Sequence, residues 1–143
     1  MKMELQRFMV RTGSTALVAA TCFGLAACVQ QDTKVTANDI PVNILFDESH
    51  CPKSVDPSTG VNISKSADQR IVWQSVDASG KHIKEDYKIY FDPFKNGHLR
   101  SNSQGTRKSP KIADDAPTGV EYKYTIEGQK CKSEPLDPRF FLT

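Results

Sequence analysis

Two patterns divide the chain of 143 residues. Residues 12–27 carry no charged side chain, whereas from residue 40 onward apolar positions recur with a period of two and are interrupted at short intervals by turn-forming residues. A period of two belongs to strands with one face buried. Ile40, Val42, Ile44 and Phe46 share one face of a strand over 40–46, and Pro41, which has no N–H to give a ladder, favours an edge position. Residues 47–60 contain two prolines and Gly60 and read as a loop. A short strand is expected over 61–63, and the β-branched and aromatic run over 70–76 predicts another, followed by a turn over 77–81. Tyr87, Ile89 and Phe91 fall on one face of a strand over 87–91. From 95 to 110 the only long aliphatic side chain is Leu99, which predicts a long loop with at most one irregular strand. Over 120–126 the alternation is strict, with Val120, Tyr122, Tyr124 and Ile126 inward, and 138–142 supplies a last strand.

No window after residue 28 has the periodicity of an amphipathic helix, and the strands are short and closely spaced. These features predict an all-β domain, a Greek-key antiparallel β-sandwich of six to eight strands, cupredoxin-like or immunoglobulin-like, with Trp73, Tyr87, Phe91, Tyr122 and Tyr124 in its core.

The uncharged segment changes the picture of where the domain works. It follows Lys2, Arg7 and Arg11, the arrangement of a secretory signal, and is shorter than the roughly 20 residues a membrane-spanning helix needs. Its end, Leu25-Ala26-Ala27-Cys28, resembles the lipobox of bacterial lipoproteins at all four positions. That resemblance implies diacylglycerol transfer to the Cys28 thiol, cleavage before it and acylation of the new amino group. The organisation expected is a signal peptide over 1–27, a lipidated polar tether over 28–38 and a sandwich domain over 39–143. Two or three acyl chains hold a protein on a bilayer through roughly 0.8 kcal/mol per buried methylene. Val29 follows the lipidated cysteine, and the enterobacterial sorting rule retains at the inner membrane those lipoproteins with aspartate there, so the outer membrane facing the periplasm is the expected location.

Removing the signal also settles charge and cysteine. Three of the 19 bases and one of the 17 acids leave with it, so the mature chain is balanced and carries no bulk attraction for nucleic acid, which is not an expected partner. Of four cysteines, Cys22 leaves with the signal and Cys28 is lipidated, so Cys51 and Cys131 remain as a pair expected to form a disulfide in an oxidising compartment. Closing a loop of that length stabilises a fold by roughly 4 to 5 kcal/mol at most in the chain-entropy model.

Candidate chemistry is sparse. The run from Gly119 through Tyr122 and Tyr124 to Ile126 resembles the strand that carries copper ligands in cupredoxins, but Ile126 stands where the thiolate and Gln129 where the imidazole would be. Met1, Met3 and Met9, the only methionines, lie in the signal, so no blue-copper site, metal or other cofactor is expected. Asp47-Glu48-Ser49-His50-Cys51 is the densest group of potential metal donors, and His82 and His98 complete the histidines, without ligand spacing. Ser79-Gly80-Lys81-His82 resembles the Ser-Gly-x-x-Tyr loop of periplasmic lysozyme inhibitors, with Ile83 in place of the tyrosine. Lys95, Arg100, Arg107, Lys108 and Lys111 form a basic stretch free of acids, expected to be a solvated loop balanced by Asp114 and Asp115. No catalytic residue is expected, because no motif frames a nucleophile with a base. The function expected is a non-catalytic envelope lipoprotein that binds an envelope protein or cell-wall partner; the alternative is a periplasmic metal-handling protein on a cupredoxin-like fold.

Overall fold

The computed structural model describes residues 36–91, 98–131 and 135–143; the signal peptide, Cys28 and most of the tether lie outside the described residues. The described chain is all-β, with β1 Ile40–Phe46, β2 Pro52–Asp56, β3 Val61–Ile63, β4 Ile71–Val76, β5 Tyr87–Phe91, β6 His98–Arg100, β7 Thr106–Lys108, β8 Val120–Gly128 and β9 Arg139–Leu142. They form a four-stranded sheet ordered β2-β1-β4-β7 and a five-stranded sheet ordered β3-β9-β8-β5-β6. The chain passes between the sheets from β2 to β3, β3 to β4, β4 to β5, β6 to β7 and β7 to β8. All four edge strands are thus short, which limits the unpaired backbone they offer to other chains.

The alternating apolar residues meet between the sheets. Val42, Ile44, Phe46, Ile71 and Trp73 pack there with Tyr87, Ile89, Phe91, Tyr124, Ile126, Phe140 and Leu142. Trp73 of the four-stranded sheet meets Tyr124 edge-on at 5.6 Å, Phe91 lies 4.8 Å from Phe140, and Tyr122 stacks on Phe140 at 5.2 Å. The Tyr87 hydroxyl donates to the Trp73 carbonyl at 3.0 Å, a polar tie between the sheets. Burial pushes the Tyr87 hydroxyl well above the usual tyrosine range, against the nearby Arg107 charge, and lifts Tyr124 to about 12.

Several details differ from expectation. The sandwich is not purely antiparallel: β1 pairs in parallel with β4, and β3 with β9. Parallel neighbours need a crossover; here β2 and β3 carry the chain back, so that β4 can start beside β1. Pro41 lies on β1, a central strand, but β2 pairs only from Asn43 onward. The Ile40 amide donates to Arg70 on the β4 side, so the missing donor of Pro41 falls on the side β2 has not yet reached. The expected loop over 47–60 contains β2, whose polar composition reflects an edge position where only Val55 and Pro52 reach inward. The expected loop over 95–110 holds two three-residue strands, β6 and β7. Val120 keeps its inward parity but stays 40% exposed, because its row, opposite Leu142, is the last of the sheet. Tyr122 is half-buried.

Strand directions sort the loops to two ends. Residues 36–39, 64–70, 109–119 and Thr143 lie at one end, linked by the Lys108–Asp39 ion pair at 2.7 Å and by Lys65, which donates to the Asp114 and Ala116 carbonyls. Residues 47–51, 77–86, 101–105 and 129–131 lie at the other, where Cys51 and Cys131 meet.

Candidate functional site at the disulfide end

Three connecting segments converge here. The first turns sharply after β1: Asp47 accepts hydrogen bonds at Oδ1 from the Ser49 and Cys51 amides, both 2.9 Å, and its own amide donates to the Cys51 carbonyl. The Cys51 amide bond is the main reason the Asp47 carboxyl is held below the usual carboxylate range; burial opposes it and Lys53, at 3.2 Å, assists. The turn sets His50 in the left-handed region at a φ of 62°.

The second segment joins β4 to β5 and is pinned by buried serines. The Ser75 hydroxyl donates to the Ile83 carbonyl at 2.6 Å and accepts from the Glu85 amide at 3.2 Å. The Ser101 hydroxyl accepts from the Tyr87 amide at 3.1 Å and donates to the Glu85 carbonyl at 3.4 Å. Gly105, at a φ of 69°, lies so close that a Cβ there would collide with the Ser75 hydroxyl. With both its backbone groups fixed, Glu85 sends a side chain only 10% exposed to His50 and Lys130.

The third segment leaves β8 at Gly128, where a Cβ would stand 2.7 Å from Pro52 and 3.2 Å from Cys131. The Gln129 amide donates to the Asp86 carbonyl. Cys51 and Cys131 are joined, with Sγ atoms 2.10 Å and Cα atoms 5.1 Å apart. The Glu85 carboxylate takes a hydrogen bond from His50 Nδ1 at 2.6 Å on one oxygen and lies 3.5 Å from Lys130 Nζ on the other. The site is therefore a buried carboxylate between the imidazole and the ammonium of the residues that precede the two disulfide cysteines.

The donor-rich run over 47–51 is spent on this architecture: Asp47 closes the turn, His50 binds Glu85 and Cys51 is in the disulfide. The histidines lie apart. His82 contacts Thr106 at 3.3 Å on the outer face of the four-stranded sheet, and His98 sits beside Tyr90 on the outer face of the other. Among the described residues no three of His, Cys, Asp or Glu converge as a metal site would require. Ile126 is wholly buried in the core, opposite Ile89, and Gln129 lies in the turn after β8. In the 77–81 turn Asp77 accepts from Ser79 and Lys81, the Ser79 hydroxyl bond being the main cause of its lowered carboxyl. The basic stretch is dispersed and balanced by acids other than Asp114 and Asp115. Arg100 pairs with Asp86, Lys108 with Asp39 and Lys111 with Asp68, while Arg107 faces inward opposite Trp73. Asp92, Pro93 and Lys95 to Gly97 lie outside the described residues.

Sequence reasoning singled out both cysteines and His50 but missed Glu85 and Lys130. The available signal was a basic or imidazole side chain immediately before each cysteine, His50-Cys51 and Lys130-Cys131. No protein-family model matches the chain, and no curated protein or solved structure matches it either.

Proposed function

We propose that this chain is a non-catalytic, lipid-anchored binding module of the bacterial envelope, held through Cys28 at the outer membrane and facing the periplasm. The observation that carries the reading is the cysteine inventory. With Cys22 removed and Cys28 acylated, the two thiols left by Leu25-Ala26-Ala27-Cys28 are the two that lie at bonding distance. An exported domain of about this size gains from such a covalent staple. Residues 36–39 enter β1 at the end opposite the disulfide, so the loops over 47–51, 77–86 and 101–105 lie at the end of the domain away from that entry. That end is the surface offered to an envelope protein or the cell wall. The metal-handling alternative needs histidines brought together, whereas His82 and His98 occupy opposite outer faces.

The test is radiolabelled palmitate incorporation and membrane fractionation in a bacterial host. Wild type is expected to carry label and to sediment with outer membranes, and Cys28→Ser to lose both. A Cys28→Ser protein that is still labelled and still membrane-bound would refute the proposal.

A further inference from the structure

We infer that Glu85 is a positioning residue for the oxidative closure of the Cys51–Cys131 disulfide: its buried carboxylate holds the residue before each cysteine, and so brings the two thiols into register. The juxtaposition is specific in chain terms. His50 immediately precedes Cys51, Lys130 immediately precedes Cys131, and both contact the same carboxylate, at 2.6 and 3.5 Å on different oxygens. The cysteines are 80 residues apart, so nothing local in the chain brings them together. Glu85 itself belongs to neither segment. Its amide and carbonyl are fixed by Ser75 and Ser101, so its backbone is in place once the sandwich has formed, independently of the disulfide. A carboxylate presented in this way attracts an imidazole N–H and an ammonium from two separate loops.

The chemistry served is thiol–disulfide exchange with an external disulfide oxidant. One cysteine thiolate attacks the oxidant and releases a thiol, and the second thiolate then attacks the mixed disulfide at the protein sulfur and releases the other. Two electrons and two protons pass to the oxidant, and one protein S–S bond forms. Glu85 takes no part in bond making; it raises the local concentration of one thiol around the other.

The experiment equilibrates the folded, reduced protein with mixtures of reduced and oxidised glutathione, with near-ultraviolet circular dichroism reporting that the reduced form keeps its packing. Because native reduced and native oxidised protein are compared, a change in global stability alone does not move the constant. Glu85→Gln, which keeps shape and loses charge, is expected to lower the equilibrium constant for disulfide formation about five- to tenfold, the scale of two partly exposed ion pairs. In wild type that constant is expected to decline with added salt, and Glu85→Gln should abolish the decline. His50→Gln and Lys130→Gln replace side chains 56% and 61% exposed, perturb folding least, and are each expected to give part of the same loss. Constants equal to wild type in all three variants, with unchanged salt dependence, would overturn the assignment.

Discussion

Ser75→Ala removes one oxygen from the interior and is expected to cost far more than that oxygen's surface. Ser75 is fully buried. Its hydroxyl donates its single proton across 2.6 Å to the Ile83 carbonyl and accepts from the Glu85 amide at 3.2 Å, with the Gly105 carbonyl also at 3.2 Å. Alanine fits the space but leaves the buried Glu85 N–H and the part-buried Ile83 carbonyl without these partners. Each stranded group costs about 1–3 kcal/mol, and partial relaxation of the 83–85 segment brings the expected total to about 2–4 kcal/mol. With a urea slope of about 2 kcal/mol/M for a small domain, the unfolding midpoint should fall by about 1–2 M. Trp73, the only tryptophan and fully buried, reports the transition by fluorescence. Ser101→Ala should cost less, because its hydroxyl bonds are longer, 3.1 and 3.4 Å. A loss below about 0.5 kcal/mol for Ser75→Ala, or a larger loss for Ser101→Ala, would refute the assignment of Ser75 as the principal pin of the Glu85 segment.

Two further predictions concern pH. Burial pushes the Asp39 carboxyl up, but the Lys108 hydrogen bond together with the Thr36 amide and hydroxyl outweighs it, so the group titrates below its usual 3.8. The stability it contributes is therefore present above 3.8 and lost as pH falls through the lower folded value. Asp39→Asn should cost about 1–3 kcal/mol at neutral pH and progressively less in acid; a difference constant between neutral pH and strong acid, followed by denaturant unfolding, would contradict this. At the alkaline end Tyr87 and Tyr124 are raised chiefly by burial, so their neutral hydroxyls favour the fold up to the unfolded value of 10.0 and that stability is lost as pH rises through the folded values. Ultraviolet titration of tyrosinate should show these two of the four tyrosines ionising late, together with loss of the fold; four tyrosines titrating freely near 10.0 in folded protein would show the core to be more open than described.

Strands were legible wherever one face was buried along most of their length. β1, β4, β5 and β9 carry alternating or continuous apolar residues because the facing sheet demands it, and β8 does so from Tyr122 onward. β2, β6 and β7 were hidden for the converse reason. An edge strand three to five residues long meets the core through one or two side chains, so Val55 and Leu99 are all that a period of two can reveal. Val72 and Val76 show the opposite limit. They are 2% exposed on the outer face, outside the main core, where Pro41 and Lys108 flank Val72 and Leu45 and His82 flank Val76, so burial there follows from lateral neighbours rather than from the facing sheet. The parallel pairings of β1 with β4 and β3 with β9 join segments with other strands between them, and a local pattern carries no information on such partners.

The candidate site divides along the same line. Cys51 and Cys131 could be paired by elimination, because thiols are few and their chemistry is singular. Glu85 could not, since a glutamate between Lys84 and Asp86 reads as solvated surface. What buries it is non-local: Ser75 and Ser101 hold its backbone, while His50 and Lys130 close over its carboxylate from two other loops. Burying a carboxylate is costly unless it is hydrogen-bonded and paired, and here the compensating groups sit beside the two cysteines. If electrostatic compensation were all that Glu85 required, cations from any part of the chain would serve. Its use of the residues before Cys51 and Cys131 makes compensation of the charge and alignment of the thiols one and the same set of contacts. Weakening either contact should therefore loosen both the buried charge and the sulfur geometry together.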